Sequence, residues 1–291
     1  MCRFCVEHGD GERWYLQAAN YAADLESDLA RRGYVVSFIS DFERNRSRIL
    51  AGLSALRALP RPVADPLRER VSARMQEKHF GQPVPIEECE KIFRIATSVV
   101  RIPCLCRGQR DPDEGVCLVV TVRPVDDVLA EGWASYADGP DVSAFERLDL
   151  EGAMGLLRAC AERGLAHTVW TFHTPFIAAI CNCDLASGCM AMNLTLKHDI
   201  KLMWKGEWVA RLAEERCTAC GACVEACPFG ALAAARNGGP VVFGEHACWG
   251  CGTCRTACAT RALALVERRT VPALAIDWWL IDKVSARAGR H

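Results

Sequence analysis

The sequence predicts an α+β chain with a helical N-terminal domain, a small α/β middle layer and a C-terminal module built on repeated cysteines. Three observations carry that division. Apolar residues recur at mixed three- and four-residue steps through the first third, short β-branched runs begin at Ser98, and a four-cysteine motif occurs twice after residue 207. The expected segments are 1–97 (helical), 98–206 (middle layer), 207–268 (cysteine module) and 269–291 (tail).

In the first segment, Trp14, Leu16, Ala19, Ala23, Leu25, Leu29 and Ala30 give a helical pattern over residues 12–32, with Gly33 as its stop. A second helix is expected over about 41–59, closed by Pro60 and Pro62. A third covers about 65–79, with Pro66 in its first turn, where a missing amide is tolerated. Residues 81–85 break the pattern, and 86–97 give a fourth helix. In the middle segment, residues 99–102, 116–122, 167–172 and 176–180 read as strands. Asp149 caps a helix that runs to Arg163, with Gly164 just beyond its end. Lys205-Gly206-Glu207 reads as the linker into the module.

A formal net charge of −1 argues against a general nucleic-acid or anionic-membrane surface. No apolar run approaches the ~20 residues needed to cross a bilayer, so the chain is not expected to be transmembrane. The polar start lacks the apolar stretch of a secretory leader. Arg31-Arg32 ahead of residues 34–39 has the outline of a twin-arginine signal, but the patch is short and runs into Asp41, Glu43, Arg44 and Arg46. A cytoplasmic, reducing setting is the expectation. There the 18 cysteines read as metal ligands or redox groups rather than a disulfide framework.

The decisive segment is Cys217-Thr-Ala-Cys220-Gly-Ala-Cys223-Val-Glu-Ala-Cys227-Pro228, spaced C-x2-C-x2-C-x3-C-P. A second copy, Cys248-Trp-Gly-Cys251-Gly-Thr-Cys254-Arg-Thr-Ala-Cys258-Ala259, follows at an offset of 31 residues. Shared glycines (Gly221, Gly252) and a later Ala-Leu (Ala231-Leu232, Ala262-Leu263) mark an internal duplication. Three thiolates from one tight loop suit one corner of an iron–sulfur cube, and the fourth points away from it. Structural zinc, which pairs two C-x2-4-C knuckles on one ion, fits two runs of four poorly.

This module resembles the bacterial-type 2[4Fe-4S] (dicluster) ferredoxins over about sixty residues, here attached to a larger iron–sulfur protein of the kind found in anaerobes. The resemblance implies that the fourth cysteine of each run serves the neighbouring cluster. Cys217, Cys220, Cys223 and Cys258 would then hold one [4Fe-4S] cluster, and Cys248, Cys251, Cys254 and Cys227 the other. It also implies one-electron transfer at low potential. Ala259 departs from the family, which has proline there, and that change alters the hydrogen bonding open to the second loop.

Ten cysteines lie outside the module. Cys104-Leu-Cys106 and Cys181-Asn-Cys183 each end a strand-like run, and Cys189 follows. If those strands are neighbours, four of these five thiols would complete a third site, an iron–sulfur cluster or zinc; otherwise they are buried apolar thiols. The stretch from Gly164 through Cys183 resembles a segment found beside ferredoxin modules in such proteins, with Asp184 where relatives carry further cysteine. Cys2-x2-Cys5-x2-His8 has the ligand types of zinc or iron but lies at a terminus. Cys89, Cys117 and Cys160 read as core residues, and His167 and His173 as structural histidines.

No G-x-G-x-x-G, G-x-x-x-x-G-K-[ST], nucleophile-elbow or H-E-x-x-H element is present, so a nicotinamide, flavin, nucleotide, acyl-transfer or zinc-protease site has no sequence warrant. The resulting expectation is an iron–sulfur electron-transfer protein, a carrier or the wiring subunit of an oxidoreductase complex, with a redox protein as partner. The alternative is an oxidoreductase whose own metal site lies in the middle domain, fed by the ferredoxin clusters. Residues 272–284 read as an amphipathic helix that packs on the chain's own body or docks on a partner.

Overall fold

The computed structural model describes residues 2–21, 29–104, 106, 116–122, 145–186 and 188–275. The centre of the molecule is a six-stranded sheet in which every neighbouring pair is antiparallel. Its strands in chain order are β1 (Gly81–Pro83), β2 (Ser98–Ile102), β3 (Cys117–Thr121), β4 (Glu146–Leu148), β5 (Ala166–Thr171) and β6 (Ile177–Cys183). Their spatial order is β1-β5-β6-β3-β2-β4. An antiparallel sheet with helices around it is α+β, and among the described residues no βαβ crossover supports an α/β middle layer.

Six longer or well-packed helices surround or precede the sheet: α1 (Arg3–His8), α2 (Leu29–Ser40), α3 (Phe42–Ala58), α4 (Arg61–Lys78), α5 (Ile86–Ile95) and α6 (Leu150–Glu162). Helix α6 starts as its sequence dictates, with the Asp149 carboxylate accepting from Gly152 N at 2.7 Å and Gly164 beyond the end at φ +77°. Helix α5 carries a strong apolar stripe, burying Cys89, Ile92 and Phe93.

Three local expectations are corrected. Residues 14–21 form short 3-10 turns instead of the start of a long helix, because the Asn20 side chain donates to the carbonyls of His8 and Trp14. That local capping competes with helical bonding. Gly33 lies inside α2 rather than after it. Helix α4 begins at Arg61, so Pro66 falls within the helix.

One core takes side chains from both the first and the middle segments: Phe4, Trp14, Phe80 and Ile92 pack with Leu118, Leu157, Val169 and Ile180. Residues 81–83, on the N-terminal side of position 97, form the sheet's edge strand against β5. Among the described residues, no helix is long and apolar enough to cross a membrane.

The C-terminal module consists of β7 (Trp208–Leu212) paired antiparallel with β10 (Leu263–Glu267), and a smaller ribbon of β8 (Leu232–Ala233) and β9 (Val242–Phe243). After a single helical turn, α7 (Met190–Met192), two four-residue helices, α8 (Ala222–Glu225) and α9 (Thr253–Thr256), occupy matching positions in the two halves. The segment 205–207 is a packed joint rather than a free linker. Lys205 and Glu207 are buried, and Lys205 Nζ donates to His246 O at 2.8 Å. A Cβ on Gly206 would stand 2.4 Å from Pro83 O, so only glycine fits.

Candidate iron–sulfur centre

Each motif folds as a loop running into a short helix. Gly221 and Gly252, the residues after the second cysteines, are the left-handed N-caps of α8 and α9 at φ +81° and +85°. The fourth cysteines are held from below by backbone amides. Ala231 N donates to Cys227 Sγ at 3.3 Å, and Ala262 N to Cys258 Sγ at 3.2 Å. The duplication is therefore present in the hydrogen bonding as well as the sequence. Ala210 N on β7 donates to Cys248 Sγ at 3.5 Å.

The thiols group across the repeat. The neighbours whose charge acts on Cys223 are Cys258, Cys217 and Cys220, in that order, after burial, which pushes its pKa up. Burial pushes the Cys251 thiol up to about 12, and there the neighbouring thiols are Cys248 and Cys227. Cys254 is raised by burial and then by Cys251, Cys248, Cys227 and, last, Cys223 of the other run. The Cys258 thiol is the opposite case: burial raises it, but bonds from Thr260 and from the amides of Ala262, Leu263 and Thr260 outweigh that and hold it low.

The two groups differ in exposure. Cys248, Cys251 and Cys254 are buried, while Cys220 is exposed and Cys217 half-buried. Eight sulfur donors of soft character, spaced by glycine loops and faced by peptide N–H groups, suit iron–sulfur clusters, whose potentials depend on such hydrogen bonds and on burial.

A residue that sequence reasoning missed sits beside the second group. Arg268 is 1 % exposed, and its guanidinium donates to Gly206 O at 2.8 Å, Trp208 O at 3.0 Å and Cys248 O at 2.7 Å. A fixed cation thus lies against the backbone of Cys248. Nothing in the Arg268-Arg269 pair near the end of the module signals this. A second tie is Arg13, which bridges Glu88 on α5 (2.9 Å) and Glu267 on β10 (2.8 Å) and lies over the Trp208 ring at 4.7 Å.

The middle-layer cysteines come together in part. Cys106, Cys181, Cys183 and Cys189 line an apolar cavity of about 90 Å³ walled by Phe38 and Trp170. Thiol contacts run from Cys106 to Cys189, from Cys189 to Cys183 and from Cys183 to Cys181. Cys104 reaches this set through Cys117, which bonds to both Cys104 and Cys181. Cys117 therefore belongs with the sulfur group as well as with the core, because β3 and β6 pair in register at Cys117↔Cys181. Cys89 and Cys160 are buried in the core as expected. Cys183 and Cys189 share one apolar cluster with Cys251 of the C-terminal module, beside the stacked rings of Phe229 and Trp249.

His167 is structural: its Nδ1 pairs with Asn182 Oδ1 at 2.6 Å inside the sheet. His173 faces α2, its carbonyl accepting from Arg31 Nε. Arg31 of the arginine pair is buried there, its guanidinium 5.6 Å from the Phe176 ring. Of the C-terminal tail, residues 272–274 form a 3-10 turn, and the amphipathic stretch beyond 275 lies outside the described residues.

Comparison with known families gives one match. A family model described as a 4Fe-4S dicluster domain matches residues 182–263. No curated protein matches the chain. The match and the sulfur geometry together define a mixed helix-and-sheet protein with a C-terminal ferredoxin-like domain that uses iron–sulfur clusters, and they support an electron-transfer role. The matched span reaches back over Cys183 and Cys189, beyond the eight cysteines of the repeat.

Proposed function

We propose that the chain is a two-cluster electron-transfer protein, a carrier or the wiring subunit of a larger redox complex, with residues 207–268 as the electron-handling unit. Cys217, Cys220, Cys223 and Cys258 hold one [4Fe-4S] cluster, and Cys248, Cys251, Cys254 and Cys227 hold the other. What supports this reading is that Cys258 acts on Cys223 together with Cys217 and Cys220, while Cys227 acts on Cys251 together with Cys248. Each cluster supplies a one-electron redox step when bound. The chain's own part is to exclude water from Cys248, Cys251 and Cys254 and to aim amides at the sulfurs of Cys227, Cys248 and Cys258. Eight cysteines in metal-ligating runs, rather than a disulfide framework, fit a reducing, cytoplasmic setting.

A second reading has a specific observation in its favour. The cavity lined by Cys106, Cys117, Cys181, Cys183 and Cys189, with Cys104 adjoining, suits a third iron–sulfur cluster or zinc next to a small apolar chamber. Its shared apolar cluster with Cys251 supplies a route from the ferredoxin unit. The chain would then be an oxidoreductase with its own middle-layer site. Anaerobic purification with identification of bound proteins separates carrier from subunit. Cys104→Ser with Cys181→Ser separates the two readings: a fall from about twelve irons to about eight supports the middle-layer site, and unchanged iron and spectra remove it.

A further inference from the structure

The joint between the sheet and the module contains a second kind of donor cluster. Cys2 Sγ and Cys5 Sγ lie 3.3 Å apart, and Cys5 Sγ lies 3.2 Å from Glu207 Oε1. Among the described residues, these three form the group whose ligand atoms all lie within 4.8 Å of one another. All three are buried, at 2 %, 0 % and 5 % exposure. His8, which the C-x2-C-x2-H spacing offers as third ligand, instead sets its ring edge-on to Phe4 at 5.1 Å. The carboxylate that completes the group comes from 202 residues further along the chain.

We propose that Cys2, Cys5 and Glu207 bind a zinc ion, separate from the iron–sulfur cysteines. A buried carboxylate is paired with a cation, bound to a metal or neutralised by a proton; Glu207 Oε1 accepts from Cys2 N at 3.1 Å and from Cys5 Sγ at 3.2 Å, and among the described residues no lysine, arginine or histidine forms an ion pair with it. Two thiolates and a carboxylate are a zinc donor set, since thiolate selects soft or borderline ions and the hard oxygen disfavours copper(I). Zinc–sulfur bonds of 2.3 Å in a tetrahedron set the two sulfurs roughly 3.8 Å apart and each sulfur about 3.6 Å from the oxygen. The Cys2–Cys5 and Cys5–Glu207 separations are a few tenths of an ångström shorter, the lengths of sulfur hydrogen bonds. Binding releases the two Sγ protons to solvent.

A second, independent observation points to a ligand here. The Tyr15 hydroxyl is fully buried, has no hydrogen-bond partner among the described residues, and feels the charges of Glu207 and Cys5. A water in the ion's fourth position is the kind of partner this hydroxyl lacks. Access exists: Glu207 also lines a polar cleft of about 260 Å³ with Glu12, Arg13, Glu267 and Arg269. The ion would bind the N-terminal segment to the chain exactly where the sheet meets the module, since Glu207 O also accepts from Arg268 N at 2.8 Å.

The test uses the full chain purified without oxygen, its clusters intact. Metal analysis is expected to give about one zinc per chain, and zinc-edge X-ray absorption two sulfur and two oxygen neighbours at about 2.3 and 2.0–2.2 Å. Cys5→Ser and Glu207→Gln each lower zinc at least fivefold while iron stays at the wild-type level. Less than 0.2 zinc in the wild type, whether Cys2 and Cys5 are free thiols or a disulfide, overturns the proposal. So does zinc that persists in both variants, or a wild-type shell of four sulfurs, which would place the ion among other cysteines. The absorption measurement needs no variant, so it decides even if a substitution prevents folding.

Discussion

Replacing Arg268 with methionine removes a buried cation from beside Cys248 while keeping an unbranched stem of similar reach. Its guanidinium donates to three carbonyls, Cys248 O among them. Reducing a cysteine-ligated cluster adds one negative charge, which a nearby cation stabilises. Two unit charges about 8 Å apart in an effective dielectric of about 20 interact by about 2 kcal/mol. At 59 mV per tenfold change for one electron, that corresponds to roughly 90 mV. The cluster served by Cys248, Cys251, Cys254 and Cys227 is therefore expected to become about 90 mV harder to reduce in Arg268→Met, and the other cluster to move less than half as far. Arg268→Lys is the control. It keeps the charge and loses the fork, so the potential stays near wild type while the unpaired carbonyls cost about 1–3 kcal/mol of stability. A redox titration read by electron paramagnetic resonance measures both clusters. An unchanged or raised potential in Arg268→Met refutes the electrostatic role.

Three further outcomes follow from other parts of the molecule. Cys258→Ser is expected to disturb the cluster of Cys217, Cys220 and Cys223, and Cys227→Ser that of Cys248, Cys251 and Cys254; iron analysis and spectra showing each variant losing its own run's cluster would contradict the crossed ligation. Arg13→Ala leaves Glu88, only 1 % exposed, with Lys91 alone, at a cost of about 3 kcal/mol, and Arg13→Met with Glu88→Leu recovers most of it. Anaerobic guanidinium unfolding checks this, and a single-variant loss under 0.5 kcal/mol would count against it. Burial holds His79 down to about 4, opposed by its Nδ1–H donating to Thr171 O at 2.7 Å. A base depressed below its unfolded value of 6.5 contributes stability that is complete above pH 6.5 and lost as pH falls toward 4. For this half-buried ring the loss between pH 7.5 and 5.5 is about 1 kcal/mol. His79→Phe should lack that slope, and an equal slope in the variant would rule out His79 as its source.

The legible part of this chain was local. The loop and short helix of each cysteine run, the Asp149 cap and helix α5 are set by residues a few positions apart, and the structure has them where the sequence put them. The rest depended on distant pairing. Cys117 looks like any buried strand residue until β3 and β6 register it against Cys181. Glu207 sits in what reads as a linker, yet folding carries it against Cys2 and Cys5. Arg268 is one more surface-type residue until three carbonyls converge on it. In the N-terminal segment, Asn20 diverts a helical pattern into 3-10 turns by a side-chain bond that periodicity does not register.

The most direct test of the account is anaerobic preparation of the intact chain, with iron and sulfide analysis and low-temperature electron paramagnetic resonance after dithionite reduction. The account predicts at least eight irons and eight sulfides per chain and the interacting signals of two reduced [4Fe-4S] clusters. Protein that stays colourless when iron and sulfide are supplied, or that holds only zinc, would contradict it.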